Sequence, residues 1–384
     1  MRFAAHAALA AALLAAAGCS SWNPLVAIGL KSEPAHKPTP LAPIEATVTP
    51  RAAWTANVGK SAGLGLRPQA DGGRVYAAAA DGSVTVLDAE TGKQVSRAET
   101  KTKVSGGVTL AAGRVIVGTL KGEVWALDPS GATAWSTLVA GEVIAPPATS
   151  REVVVVRTAD GRIFGLSSKD GHRLWVFQRA TPALLLRSEA GVLAVGTDVV
   201  AGYPNGKLIA LDLEDGKLTW EVTVSQPRGT TELERIADVA GLPVLDGNNV
   251  CAAAFQGKVA CFDIKTRNML WSKDLSTAED LANDAKRLYV TDDTGAVQAL
   301  DKASGANVWK QDKLAWRHVT APLVVADRIV VGDLQGYVHV LSGEDGAIVG
   351  RLATDGTAVE SLVTAPGGGF LVQTAGGTVS LVRF

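Results

Sequence analysis

The side chains that could do chemistry in this 384-residue chain are few, and their spacing scatters them. His6, His36, His172, His318 and His339 never form the His-Glu-x-x-His frame that sets two zinc ligands on one helix face. A metal shared by His172, His318 and His339 would need three separate segments to converge. The competing reading is surface or packing histidines, and no metal site is expected. Cys19, Cys251 and Cys261 lack the Cys-x-x-Cys spacing of zinc or thiol-redox sites. Asp88, Asp128, Asp212, Asp263 and Asp301 each follow a Leu or Phe at one repeated position. Catalysis needs one site rather than five, so these carboxylates read as turn formers that accept backbone N–H bonds. Lys+Arg 37 against Asp+Glu 38 gives a net charge of −1, which argues against nucleic-acid binding.

The elements that must position these residues say more. Met1-Arg2 and the apolar run 7–17 have the layout of a secretory signal peptide. Ala16-Ala17-Gly18-Cys19 resembles the cleavage box of a bacterial lipoprotein signal. That resemblance implies loss of residues 1–18, acylation of Cys19 and attachment to a membrane through more than one lipid chain. Ser20, rather than Asp, resembles signals sorted to the outer membrane. Ordinary cleavage leaving a free Cys19 thiol is the alternative. Residues 19–50 hold Pro24, Pro34, Pro38, Pro40, Pro43 and Pro50 without an apolar period, which predicts an extended, poorly packed tether.

Residues 51–384 repeat. Eight copies are headed by Gly82, Gly122, Gly161, Gly206, Gly257, Gly295, Gly336 and Gly377, at intervals of 40, 39, 45, 51, 38, 41 and 41 residues. In each, an alternating run such as Arg114-Val115-Ile116-Val117-Gly118 leads to a polar-Gly pair and a second run. That is a hairpin whose Gly takes a left-handed position. A second turn follows near Gly92, Gly131, Gly171, Gly216, Gly305 and Gly346. Trp135, Trp175, Trp220, Trp271 and Trp309 then open a further strand and are expected to wedge between blades. The period predicts an all-β, eight-bladed β-propeller of four-stranded blades. The eighth copy stops at Phe384 short of its Trp strand, and Trp54-Thr55-Ala56-Asn57-Val58 looks like that strand. The N-terminal strand should therefore close the ring and remove the sheet edges.

The Leu-Asp-x-x-x-Gly-x-x-x-Trp pattern resembles the docking repeats of quinoprotein alcohol dehydrogenases, so a pyrroloquinoline-quinone-dependent dehydrogenase is one alternative. That family also implies adjacent cysteines, calcium ligands and long loops; here no two cysteines adjoin, and no cofactor is expected. A glycan-binding propeller is another alternative. Function must be argued from departures from the repeat. The two long intervals, 45 and 51, are consecutive. The first places Leu184-Leu185-Leu186 where sister copies have Gly106-Gly107-Val108 and Thr320-Ala321-Pro322. Either the leucines add core packing, or they form an exposed anchor beside Arg187, the composition of an interface hot spot. The second holds residues 225–240, whose segment 229–236, with Leu233 and Ile236 three apart, could form a short helix. Both segments join the outer strand of one blade to the inner strand of the next. They must emerge on one face, a blade apart.

These two runs and the lipoprotein signal together resemble the BamB family, propeller lipoproteins of the outer-membrane β-barrel assembly machinery. The resemblance covers essentially the whole mature chain. It implies a non-catalytic scaffold on the periplasmic face of the outer membrane that binds the periplasmic domains of BamA, the barrel-forming subunit. Unfolded barrel proteins are a further candidate partner. Carried over, the partner-binding positions are Leu184, Leu186, Arg187 and Asp238. The family often has a second acid two residues after that Asp; this chain has Ala240.

Cys251 and Cys261 flank the hairpin turn Phe255-Gln256-Gly257. A three-residue loop ending in a left-handed Gly pairs Ala254 with Lys258 and sets the two cysteines opposite each other on one face. A two-residue turn would put them on opposite faces, where no bridge forms. The polar-Gly chemistry favours the first. A disulfide that persists in the oxidising periplasm and two buried thiols both remain open.

Overall fold

The computed structural model describes residues 36–100, 102–182, 184–189 and 191–384. The signal segment and Cys19 lie outside them. Eight antiparallel sheets of four strands follow one another, seven of them with their strands in chain order. Blade 1 is Gln69–Asp71, Arg74–Ala78, Ser83–Asp88 and Gln94–Glu99. Blade 3 is Ala148–Ser150, Val153–Arg157, Ile163–Ser167 and Arg173–Phe177, and blade 4 is Leu193–Val195, Asp198–Tyr203, Lys207–Asp212 and Leu218–Thr223. Blades 2, 5, 6 and 7 run from Val104 to Leu138, Val244 to Asp274, Ala282 to Gln311 and Leu323 to Ala353. Blade 8 joins Val359–Ala365, Gly369–Thr374 and Thr378–Arg383 to the N-terminal strand Arg51–Asn57, with Thr55 opposite Ser380. The first strand of blade 8 touches the first strand of blade 1, so the ring closes. This is the eight-bladed propeller with a shared last blade that the repeats predict.

Neighbouring blades cover both faces of each sheet, so the middle strands are apolar almost throughout; Val153 to Val156 are all buried. The core lies between blades. Val155, Ile163 and Trp175 of blade 3 pack with Val199, Ala201 and Ile209 of blade 4 in one cluster. Tryptophan also links the blades by hydrogen bonding. The indole Nε1 of Trp54, Trp135, Trp175, Trp271 and Trp309 donates to the carbonyls of Ala89, Ser168, Leu213, Lys302 and Gly343 in the following blade. A buried indole N–H needs such a partner. The Trp175 ring seats on Gly216 (φ +70), where a Cβ would stand 2.5 Å from it. The second-turn glycine and the tryptophan are thus two halves of one contact.

The repeated aspartates cap turns. Asp88 accepts from the N–H groups of Glu90 and Thr91, and Asp301 from those of Ala303 and Ser304. Hydrogen bonds from the side chain and then the backbone of Thr91 hold Asp88 below the usual carboxylate range.

Two expectations are corrected. The proline-rich segment is not a loose tether up to residue 50. From Pro38 onward it belongs to the propeller's compact unit. Thr39 N–H donates to Ala315 O, Thr47 and Val48 N–H to Val349 O, and Leu41 packs beside Trp309 and Leu314. Prolines favour extended backbone without forbidding docking. The outer strand of blade 7 has Gly350 at the Trp position, and Val48 O and Pro50 Cδ fill the volume beside it, 2.8 and 3.1 Å from where a Cβ would stand. The second correction is residues 229–236, which make a single turn and no helix. Glu234 Oε2 accepts the N–H groups of Thr230 and Thr231, while Glu234 N–H donates back to Thr231 Oγ1. This reciprocal cap closes one turn without propagating it, and these bonds hold the Glu234 carboxyl at about 2.

Candidate functional site

The two long connections meet on one face. The first, from the outer strand of blade 3 to blade 4, carries Leu184 49% exposed, Leu185 and Leu186 half-buried and Arg187 exposed. None of the three leucines belongs to an interblade core cluster. Arg187 Nη2 pairs with Glu142 Oε2 at 2.9 Å, which ties this loop to the preceding connection.

Asp238, in the second connection, is buried to 5% exposure, and its carboxylate is committed inside the chain. Oδ2 accepts Leu186 N–H at 2.7 Å, and Oδ1 accepts Asn205 N–H at 3.2 Å in the blade 4 hairpin turn. Its backbone carbonyl accepts Phe255 N–H at 2.8 Å in the blade 5 turn. Asp238 therefore pins the leucine loop to two blades. Ser188 Oγ donates to Ala240 O, so the backbone of residue 240 holds the same loop. Leu233, in the same connection, is 66% exposed.

The structure brings together Leu184, Leu186, Arg187 and Asp238, but with unequal roles: two leucines and an arginine are presented, and the aspartate holds them. Beside them opens an axial cavity of about 550 Å³, lined by Leu186, Arg187, Glu189, Glu279, Asp280 and Glu360 among others. Arg67 Nη1 pairs there with Asp280 Oδ2 at 2.6 Å. The Glu279 carboxyl reaches the open channel yet is ringed by protein; that crowding, then Asp280, pushes it up to about 7. Under the leucine loop lies a smaller cavity of about 30 Å³ between Leu186, Asp238 and Arg157. Sequence reasoning missed Arg157. Its signal was present: four residues before the repeat glycine, the other copies carry Ala78, Gly118, Gly202, Ala253, Thr291, Gly332 and Gln373.

Cys251 and Cys261 lie opposite each other, Cα atoms 4.0 Å apart, with their sulfurs joined. The turn has the three-residue register, Ala254 N–H donating to Lys258 O. The left-handed residue is Gln256 (φ 49) and not Gly257. Gly257 is required for space: a Cβ there would stand 2.7 Å from Ser225 Oγ and 2.8 Å from Ala254 Cβ.

Comparisons with known proteins agree with this fold. The family model described as outer membrane protein assembly factor BamB matches residues 80–311 and 295–383. An outer membrane protein assembly factor BamB of Nitrosomonas eutropha is 43% identical over 327 residues, 85% of this chain and 80% of that one. The crystal structure of BamB from Moraxella catarrhalis superposes with a TM-score of 0.81 and 28% identity, covering 88% of this chain and all of that one. A quinohemoprotein alcohol dehydrogenase from Comamonas testosteroni, 13% identical with a TM-score of 0.69 over 87% of this chain and 76% of its own, shares the fold alone. By family match, identity and length, this chain belongs to the BamB family of outer membrane protein assembly factors.

Proposed function

We propose that this chain is a non-catalytic scaffold of the outer-membrane β-barrel assembly machinery, held at the periplasmic face by lipid on Cys19 and docking the periplasmic domains of BamA through the loop Leu184–Arg187. The observation that carries the docking reading is the loop itself. An exposed leucine and two half-buried ones beside an arginine stand clear of the core clusters and are fixed in place by a buried carboxylate. A surface preorganised in this way loses little conformational entropy on binding. Asp238 acts on the partner through the loop it positions. Residues 1–18 are read as the removed signal and 19–37 as the span between lipid and propeller. No helix among the described residues is long and apolar enough to cross a membrane.

Affinity isolation of the lipidated protein from outer membranes tests the reading. BamA is expected to co-purify, and replacement of Leu184 by Asp should abolish its recovery. Isolation of the intact protein without any barrel-assembly subunit overturns it.

A further inference from the structure

Arg157 ends the second strand of blade 3, beneath the leucine loop. Its Nη1 is buried and has no hydrogen-bond partner. The guanidinium lies over the Tyr203 ring, 5.1 Å from its centroid. The nearby carboxylates direct their hydrogen bonds to other groups. Both Asp238 oxygens accept backbone N–H groups, Asp160 is bound to Arg162, and Glu142 is paired with Arg187. Arg179, which shares the Tyr203 ring at 5.6 Å, has its own partner in Glu221 at 2.8 Å. Burial therefore pushes Arg157 downward, against the weaker pull of Tyr203 and Asp238. A half-buried guanidinium whose Nη1 finds no acceptor is unfavourable and is not what packing alone would select.

The position in the repeat sharpens the point. Gly118, Gly202 and Gly332 occupy it in blades 2, 4 and 7, where the next connection lays Val143, Val239 and Val359 directly against the strand. In blade 3 a guanidinium takes that place, and Thr181, Leu185 and Leu186 arch over it, leaving the small cavity. The arginine both raises the loop and charges the space beneath it.

We propose that Arg157 is the receptor for a carboxylate: an Asp or Glu side chain of the docking partner that enters beside Leu186 and completes the guanidinium. The inference rests on the docking reading above and adds the chemistry of the contact. A charge-assisted, forked pair in a desolvated pocket gives both strength and register, which a backbone carbonyl would not, because it leaves the charge uncompensated.

The test titrates the full mature chain with the soluble periplasmic domains of BamA and compares Arg157→Met, Arg157→Lys and Leu184→Ala. Arg157→Met is expected to bind roughly thirtyfold more weakly, with an unchanged or higher melting temperature, because it removes a half-buried guanidinium whose Nη1 finds no acceptor. Arg157→Lys should recover part of the affinity. Asp→Asn and Glu→Gln replacements across the partner's domains should reveal one acid whose loss adds nothing to that of Arg157→Met. If Leu184→Ala weakens binding while Arg157→Met does not, the carboxylate pocket is wrong and the docking loop stands. If neither does, the docking reading fails with it. A loss of affinity matched by a loss of folding, with no coupled acid, makes Arg157 structural and overturns the proposal.

Discussion

Arg157 and Arg317 serve the same face of the propeller in opposite ways. Arg317, 2% exposed, spends its whole guanidinium: Nε on Asp333 Oδ2 at 2.7 Å, Nη2 on Gln335 Oε1 at 2.7 Å and Nη1 on the Thr39 carbonyl at 2.9 Å. Asp333 is fully buried and also takes His339 Nε2 at 2.9 Å. Arg351 donates from Nε to His339 Nδ1 and from Nη1 to the Ala42 carbonyl. Through these bonds the N-terminal strap, residues 38–50, is clasped to blade 7 and to the connection that leads into it. Arg157 has no such set. Where the chain needs an arginine for its own fold, it surrounds it with acceptors. Where one is left bare next to a raised apolar loop, the acceptor must come from outside.

The largest effect that would break this contrast is on folding. Arg317→Met strands the buried Asp333 with only His339 and backbone N–H groups, and losing one partner of a buried pair costs about 3–5 kcal/mol. Denaturant unfolding of Arg317→Met beside Arg157→Met measures it; equal midpoint shifts for the two variants would erase the distinction.

Binding should respond the other way round. Truncating a central member of the leucine loop, as in Leu186→Ala, should weaken partner affinity about thirtyfold, close to 2 kcal/mol, with the propeller still folded. Asp238→Ala should weaken it too, although its carboxylate faces inward, and faster hydrogen exchange at the Leu186 amide would accompany the loss. Full affinity in a destabilised Leu186→Ala protein would make the leucines core.

These regions also differ in how openly the sequence declared them. Blade number, the tryptophans between blades and the meeting of the two insertions follow from spacing, because each repeats or interrupts a fixed period. The strap was misread because its prolines report an extended backbone, whereas its docking depends on Gly350 and Arg317, more than 250 residues away. Arg157 is not legible because one charge that ends an apolar run looks like the strand's solvent-facing terminus. Only the connection folding over it half-buries it. The single turn at residues 229–236 likewise depends on Glu234 reaching back to Thr230 and Thr231, a local closure that apolar spacing does not report.

A pH profile sharpens the account of the clasp. Burial pushes His339 below its ordinary range, and Asp333 only partly opposes this. The unfolded chain then takes up a proton near pH 6.5 that the folded chain does not. Stability should be highest above that pH and fall, by up to about 1.4 kcal/mol per unit, as pH drops from 6.5 toward the folded value. Asp333 shifts in the same sense: burial raises it, but bonds from His339, Tyr337 N–H and Arg317 hold it below the ordinary range, so its contribution is lost only at still lower pH. His339→Gln should flatten the first decline. Parallel profiles for the two proteins would show that this histidine does not govern the clasp.

The smallest effect belongs to Cys251 and Cys261, on a hairpin away from either arginine. Ten residues separate them in sequence, and the register already sets them face to face. Cross-linking stabilises chiefly by limiting the unfolded chain, and a loop of ~15 residues closes with ~3 kcal/mol. This loop is shorter, and residual hairpin contacts in the unfolded ensemble already reduce the freedom that a bridge would remove. A Cys251→Ala, Cys261→Ala protein is therefore expected to lose about 1 kcal/mol and to bind its partner unchanged. Its unfolding midpoint, compared with that of the native chain in reductant, measures the difference. Alkylation of the unreduced mature protein followed by mass spectrometry tests the premise: two labelled thiols would remove the bridge, and a loss of 3 kcal/mol or more would show an unfolded hairpin that keeps no contacts of its own.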